Sequence, residues 1–570
     1  MLFKIHQTLH TIADFDAVFD YLSSIDQSAK YHLFPELFLT GYPLQDLCLD
    51  KSFIESYQDL LKKIEKWAKK SLDKEVQIFL GGLDYKLDKS ALPSSIKNCI
   101  FKLTTEGLEN IYTKQLLPNY DIFEEKKYFS AGSSKTILEI ESKRIGFLIC
   151  EDMWSSSIHD QDPVTQLKGE KLDLVINLSA SPFNLDKNKK RIKRASDISN
   201  FLECPFIYVN RVGAEDEVLF DGRSFVQVSD KTVTQGELFK DCVLEYELEN
   251  DNHYKSLELL ENTNTWETLF TPRLTPKLDI KPLSDETCHE VLEALKFGFS
   301  EYAKKAHFNN FTIALSGGID SAIVLSIVRL ALKKGQYLEA IYMPSIHSST
   351  LSYDLSFNLC KNLGVPLSTL PIKFLHSTAK NLFGQTFSEP FEGITDENIQ
   401  SRLRGTLLYT RSNQINSMVV NTSNKSELAV GYSTQYGDSV GAISLLGDLY
   451  KSEVFALAEY INKIHPNLIP QEIITRPPSA ELRADQEDSQ TLPEYKVLDS
   501  ILESILSNKL SKKDLLKKKF SEEDVDKVLD FYKKTEFKRY QFCPIIKLTS
   551  RSFGFGYRIP ISKNSNFYTN

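Results

Sequence analysis

FTIALSGGIDSAIVLSIVRLALKK, residues 311–334, joins two apolar runs through the turn Ser-Gly-Gly-Ile-Asp-Ser. The first run reads as a buried strand and the second as a helix, so the glycines lie at a helix start. Two glycines let the backbone approach an anion closely, and helix-start amides carry positive partial charge. Ser316 and Ser321 add hydroxyl donors, and Asp320 stands where a carboxylate can hold a magnesium ion bridging phosphates. The string has neither the Gly-Lys-Ser/Thr ending of a P-loop nor the glycine spacing of a dinucleotide fingerprint. Around it, a helix at 288–306 precedes the strand, and strand 338–344, helix 353–364 and strand 367–372 follow. Strands alternating with helices predict a doubly wound parallel sheet.

The half before this unit has a different texture. Short apolar runs end in polar or glycine-rich turns: VQIFLGG (76–82), IGFLICEDMW (145–154), LDLVINLSASPF (172–183) and PFIYVNRVG (205–213). They predict strands buried on both faces, with the amphipathic stretch 51–70 as a covering helix. The polar, proline-punctuated segment 251–284 predicts a connection between a domain at 1–250 and another at 285–570.

Composition narrows the class. The chain has 570 residues, 41% hydrophobic and 25% charged, enough to bury sizeable cores and too apolar for wholesale disorder. A net charge of -9 does not favour a dedicated nucleic-acid binder. MLFKIHQTLHTIADF carries no uninterrupted apolar core, so neither a secretory signal nor a transit peptide is expected. No run is apolar enough to predict a membrane span. Eight cysteines without a CxxC pair suit a reduced, cytoplasmic chain. The lysine-rich stretch 509–534 and the run KNKKRIKR after Asp186 both read as solvated faces.

Three strings in the first half suggest thiol chemistry: FPELFLTGYPLQDL (34–47) with Glu36, YTKQLLPNYDIFEEKKYF (112–129) with Lys114, and GFLICEDMW (146–154) with Cys150. Amide hydrolysis through a thiol needs a nucleophile, a base and a cation near the developing oxyanion. A desolvated glutamate can be that base, a lysine that cation, and a strand end displays a nucleophile rigidly. With SASPFNLDK (179–187) and VNRVGAEDEVLFDGRSF (209–225), the set resembles the nitrilase superfamily over roughly residues 1–250. That resemblance implies an α-β-β-α sandwich.

The glycine turn resembles the pyrophosphate loop of the N-type ATP pyrophosphatases. ENIQSRLRGTLLYTRSN (397–413), VVNTSNKSELAVGYSTQYGD (419–438), LGDLYKSEV (446–454), PPSAELRADQEDSQTLPEY (477–495) and KRYQFCPIIK (538–547) are similar to the NAD synthetases. The resemblance therefore implies a glutamine-dependent member of that family, with a Rossmann-like adenylating domain. It implies glutamine contacts at Tyr120, Ser181 and Lys187. It implies ATP contacts at Ser316, Gly317, Gly318, Ile319, Asp320, Ser321, Thr422 and Lys451. Deamido-NAD contacts fall at Asn398, Arg402, Glu427 and Lys547, and Mg2+ ligands at Asp320 and Glu427. The sequence departs from the family at Lys127, Asn184, His347 and Ser423, where arginine, histidine, tyrosine and glycine are commoner. ATP is the implied co-substrate, and homo-oligomers, small-molecule partners and coupled sites are implied with it. Two competitors remain at this point: another ATP-pyrophosphatase amidotransferase, and a silent two-domain scaffold. The Glu36-Lys114-Cys150 set speaks against the first and the intact SGGIDS loop against the second.

Overall fold

The computed structural model divides into two compact units, Met1–Leu269 and Phe270–Asn570. It describes residues 1–90, 92–154, 159, 161–248, 254, 283–387, 389–483, 486 and 488–564. The expected connection at 251–284 lies outside the described residues except for Tyr254, Leu283 and Ser284.

The first unit holds two six-stranded sheets. One runs β14 (Cys242–Glu247), β1 (Leu2–Gln7), β2 (Tyr31–Leu33), β3 (Gln77–Leu87), β4 (Pro93–Thr104), β5 (Gly107–Thr113). The other runs β13 (Lys231–Gln235), β12 (Phe225–Val228), β9 (Phe206–Asn210), β8 (Leu174–Ser179), β7 (Lys143–Ile149), β6 (Ile137–Ile140), and β10 (Val212–Glu215) pairs separately with β11 (Val218–Asp221). Each sheet has a parallel centre, β1-β2-β3 and β7-β8-β9, flanked by antiparallel edges. Alternation along β7 shows why the sheets stack. Ile145, Phe147 and Ile149 join Phe3, Ile5, Leu33 and Phe79 in one core. Leu148 turns outward to Ala195 and Ile198 of α3 (Lys187–Leu202). Phe79 and Phe147 meet across the layer at 5.2 Å between centroids. Outside the first sheet lie α1 (Phe15–Ser23) and α2 (Lys51–Ser71), and the Tyr57 hydroxyl bonds both N–H and C=O of Leu83 at 2.9 Å. This is the α-β-β-α sandwich expected.

A buried histidine pair ties β1 to β2. His32 Nε2 lies 3.0 Å from Ala29 O, His6 Nε2 lies 3.0 Å from His32 Nδ1, and Tyr21 OH lies 3.2 Å from His6 Nδ1. A carbonyl can only accept, so His32 carries its proton on Nε2, His6 donates to His32, and Tyr21 donates to His6. Every ring nitrogen is then satisfied with both rings neutral.

The second unit is built on five parallel strands: β17 (Leu367–Thr369), β16 (Tyr337–Tyr342), β15 (Asn310–Ala314), β18 (Ser417–Asn421), β19 (Ile443–Ser444). Their order reverses between β15 and β18, the place where an open α/β sheet offers a crevice at its carboxyl ends. The main helices are α4 (Asp285–Lys305), α5 (Ile319–Ala331), α6 (Thr350–Leu363), α7 (Lys373–Phe387), α8 (Ile394–Ile415), α9 (Lys425–Val430), α10 (Lys451–Ile464), α11 (Tyr495–Leu506) and α12 (Glu522–Lys534). α5 is buried almost throughout, while α9, α11 and α12 share a second core around Leu428, Leu498, Leu502 and Val528. α7 differs. It buries His376 but exposes Phe374, Leu375, Leu382, Phe383 and Phe387. No helix among the described residues is long and apolar enough to cross a membrane.

Candidate active sites

In the first unit, β7 ends at Ile149 and Cys150 follows it, with a φ of 44° in the left-handed region. A non-glycine residue there is strained unless its surroundings hold it. Asp152 does the holding. Its carboxylate accepts from the backbone N–H of Ile149 (3.0 Å), Leu116 (2.8 Å) and Gln115 (3.1 Å) and from Tyr112 OH (2.8 Å). The turn carrying Cys150 is thereby tied to the segment carrying Lys114. Burial pushes the Asp152 carboxyl up to about 6, against those hydrogen bonds.

Lys114 Nζ donates to Glu36 Oε1 at 2.7 Å. Asn98 donates to the same oxygen at 2.8 Å, and Ala180 N donates to Oε2 at 2.7 Å. All three expected triad residues are buried. Burial and the Glu36 charge push the Cys150 thiol well up, with Lys114 pulling the other way.

Glu125 is the residue the sequence reading missed. It accepts Lys114 Nζ at 2.8 Å and Tyr42 OH at 3.0 Å, while its Oε2 is buried without a partner. Burial pushes its carboxyl up to about 7, with the Lys114 charge opposing.

Of the expected glutamine contacts, Tyr120 donates to both Glu151 oxygens at 3.1 and 2.9 Å, and His159 Nε2 meets Glu151 Oε1 at 3.1 Å. Lys187 opens α3, and burial plus the Arg191 charge bring its amine down to about 8. In the run following it, Lys189, Lys190 and Lys193 form the solvated face expected, but the two arginines turn inward. Arg191 is 0% exposed, chelates Asp221 at 2.8 and 2.9 Å, and donates to Ser181 O and Pro182 O, both at 2.9 Å. Arg194 is buried too, donating to Met153 O at 2.7 Å. Helical period carries these two arginines inward, where Arg191 holds the Ser181–Pro182 segment and Arg194 the turn after Cys150. Asn184 leaves its buried Oδ1 without a partner.

In the second unit the SGGIDS loop follows β15 and opens α5. Gly317 has φ 81°, and a Cβ there would lie 2.6 Å from Ser352 O, so only glycine fits. Ser316 Oγ accepts Gly318 N at 3.3 Å, and Ser321 Oγ donates to Gly318 O at 3.0 Å. The helix cap makes no side-chain bond, which leaves the first amides of α5 open.

Lys451, at the start of α10, bridges two carboxylates: Asp320 Oδ2 at 2.5 Å and Glu427 Oε1 at 3.2 Å. Asn424 caps α9 by accepting Glu427 N at 3.0 Å and donates to Asp320 Oδ1 at 3.0 Å. Burial pushes the Glu427 carboxyl up to about 8, with Lys451 opposing. Thr422, Ser316, Asp320 and Glu427 all line one cavity, and Lys451 with Gly318 and Ile319 lines its continuation. Ser423 takes ordinary backbone dihedrals and bonds Asn421 Oδ1 through its N–H at 2.9 Å, so its Cβ is no burden.

Asn398, Arg402 and Lys547 lie outside the described lining of these cavities. Asn398 accepts Thr434 Oγ1 at 2.7 Å. Arg402 is exposed and donates to Gln435 O at 3.2 Å, while Lys547 is buried and donates to Thr549 O at 2.8 Å. Arg404, two residues on, lines the cavity instead.

Comparison with known proteins agrees with this division. The carbon-nitrogen hydrolase family matches residues 11–236 and the NAD synthase family residues 291–542. The glutamine-dependent NAD(+) synthetase of Synechocystis sp. is 34% identical over 548 residues, covering 94% of this chain and 93% of the relative. That of Aquifex aeolicus is 33% identical over 558 residues, covering 95% of each. The solved glutamine-dependent NAD+ synthetase from Acinetobacter baumannii, in complex with ADP, superposes with a TM-score of 0.72 at 29% identity over 98% of both chains.

Proposed function

The chain belongs to the glutamine-dependent NAD(+) synthetases, and we propose that its residues divide the reaction as follows. The first unit hydrolyses L-glutamine to glutamate and ammonia. The second spends ATP to activate deamido-NAD and releases NAD, AMP and pyrophosphate. The observation that carries the reading is the buried Glu36–Lys114 pair, 2.7 Å apart, facing a thiol held on a strained strand end.

Glu36 accepts the Cys150 proton as sulfur attacks the glutamine amide carbon, and returns it to the departing nitrogen. Lys114 offsets charge on the carbonyl oxygen in the tetrahedral state. A water molecule then cleaves the thioester by the same route. Tyr120, Ser181 and Lys187 hold the rest of glutamine. Glu151 faces the same site and would take a substrate cation.

In the second unit, the open amides of α5 and the Ser316 and Ser321 hydroxyls bind the ATP phosphates. The nicotinate carboxylate attacks the α-phosphorus, pyrophosphate leaves, and ammonia displaces AMP from the adenylate. Thr422 and Lys451 belong to the ATP side. Asn398, Arg402, Glu427 and Lys547 belong to deamido-NAD. Asp320 and Glu427 would hold Mg2+, an ion that typically takes one or two carboxylates and completes its shell with substrate phosphates and water. Their convergence on one ammonium fits that donor set, and the ion supplies neutralisation of phosphate charge. Eight free cysteines support a reducing, cytoplasmic setting. The exposed apolar residues of α7 support a homo-oligomer.

The test is a product assay with ATP, deamido-NAD and either glutamine or ammonium. Cys150→Ala is expected to lose synthesis from glutamine and keep synthesis from ammonium. Glutamine-dependent NAD formation by that variant would remove Cys150 from its role.

A further inference from the structure

Asp499, in the second turn of α11, is 0% exposed and makes no ion pair among the described residues. A buried carboxylate without a cationic partner is costly, and a neutral side chain would cost the fold less. Burial raises its carboxyl to about 7. Its two oxygens are committed to residues beside two of the charged groups of the nucleotide site, Glu427 and Lys451. Oδ1 accepts the Ser426 hydroxyl in a short hydrogen bond. Oδ2 accepts the Ser452 backbone N–H at 3.0 Å. The Ser426 oxygen in turn accepts the Lys451 backbone N–H at 2.8 Å.

Ser426 immediately precedes Glu427 in α9, and Ser452 immediately follows Lys451 in α10. The Lys451 and Ser452 N–H groups belong to the first turn of α10, where no intrahelical carbonyl can serve them. One carboxylate at that helix start satisfies one of them directly and the other through Ser426, and the α10 dipole favours its charge. Three hydrogen bonds thereby fix α9 against α10, and with them the position from which Lys451 reaches Glu427.

We infer that Asp499 is a positioning residue for the synthetase reaction, setting the spacing of Glu427 and Lys451 through Ser426 and Ser452. The inference rests on the reading of Lys451 and Glu427 as nucleotide-site groups. Asparagine could not substitute. Its single acceptor oxygen can face Ser426 or Ser452, and its NH2 then points at a donor or leaves the Ser426 proton without an acceptor.

The experiment uses the full chain with ammonium as nitrogen source, so the glutamine site is not read. Asp499→Asn is expected to keep its melting temperature within a few degrees and to hydrolyse glutamine as wild type does without ATP. Its kcat for NAD formation should fall at least about tenfold, with KM for ATP changing less than kcat, since misplacing groups that act on the transition state lowers kcat. Ser426→Ala, a smaller change, should show the same split. A folded Asp499→Asn protein with kcat within about twofold of wild type would overturn the inference. Loss of fold in both variants would overturn it too, by assigning Asp499 to stability. Lys451→Ala is the control for the underlying reading. If that variant still makes NAD, the site assignment fails whatever Asp499 does; if it is inactive while Asp499→Asn is normal, only the inference fails.

Discussion

Lys114 is shared almost evenly, 2.7 Å from Glu36 and 2.8 Å from Glu125, so the amidase site holds two carboxylates and one cation. Two carboxylates thus share one positive charge. In the proposed mechanism, the second carboxylate would keep a negative partner on Lys114 while Glu36 holds the thiol proton. Glu125→Gln keeps the volume and removes that charge. It should lower glutamine hydrolysis by about a hundredfold or more, while NAD formation from ammonium is unchanged. Glutamate release measured beside ammonium-dependent synthesis decides it. Asp320→Ala should behave in the opposite way, with pyrophosphate release lost from either nitrogen source and glutamine hydrolysis retained. Glu125 was invisible in the sequence because it sits in EEKK (124–127), which reads as a solvated run. Only the register of the short helix Glu125–Tyr128 turns it inward and leaves Lys126 and Lys127 outside. Glu36, Lys114 and Cys150 were legible because each ends or flanks an apolar run, where a polar side chain needs a reason. Arg191 failed the same reading: its neighbours Lys189 and Lys190 are exposed, and charge density alone does not say which residue of a run faces the core.

At the scale of the element, β1 and β2 owe part of their pairing to the neutral His6–His32 chain. Both rings are held below their ordinary value by burial, His6 to about 3; His32 and the Lys4 amine add to the effect on His6, and Lys4 adds to it on His32, where the Ala29 carbonyl and Asp26 oppose it. Asp26, on Lys4 at 2.5 Å, Glu245 of β14, on Lys4 at 3.7 Å, and the Tyr21 hydroxyl are titratable groups beside them. Below pH about 6.5 the unfolded chain takes up protons that the folded rings refuse, so stability falls as pH falls toward their folded values. Each ring contributes at most about 1.4 kcal/mol per pH unit. Urea midpoints at pH about 7.5 and about 5 should therefore separate. The double variant His6→Gln with His32→Gln should lower the upper midpoint and narrow the gap; an unchanged gap would clear the rings of the effect. At this scale β3, β7, β8 and β9 were readable from their apolar runs, whereas the shorter or half-exposed strands and the sheet order were not. The parallel centres and antiparallel edges depend on pairings such as β1 with β14, about 240 residues apart, which no local pattern records. The second unit was easier, because each strand is followed by the helix that returns the chain to the next.

For the whole molecule, two activities in one chain have to be timed, since ammonia released into water at neutral pH is protonated and lost as a nucleophile. Glutamate release should rise several-fold when ATP and deamido-NAD are present. A coupling free energy of about 1–3 kcal/mol would be ordinary for linked sites. Equal rates with and without them would make the units independent. Assembly is tested separately. Phe374, Leu382 and Phe383 project from α7 into solvent, so Phe374→Glu with Phe383→Glu should shift the mass in solution toward a single chain, read by light scattering. Unchanged mass would move the contact elsewhere. The eight free thiols carry a further consequence. Burial raises those of Cys48, Cys99, Cys204, Cys242, Cys288 and Cys360, and it raises Cys150 as well, so what sets Cys150 apart is the Glu36–Lys114 pair beside it. An electrophile shaped like glutamine should be directed by the amidase pocket to Cys150, giving intact-mass spectra with one adduct that Cys150→Ala removes, while the half-buried Cys543 stays unlabelled. The fraction carrying it would count the competent sites in any preparation.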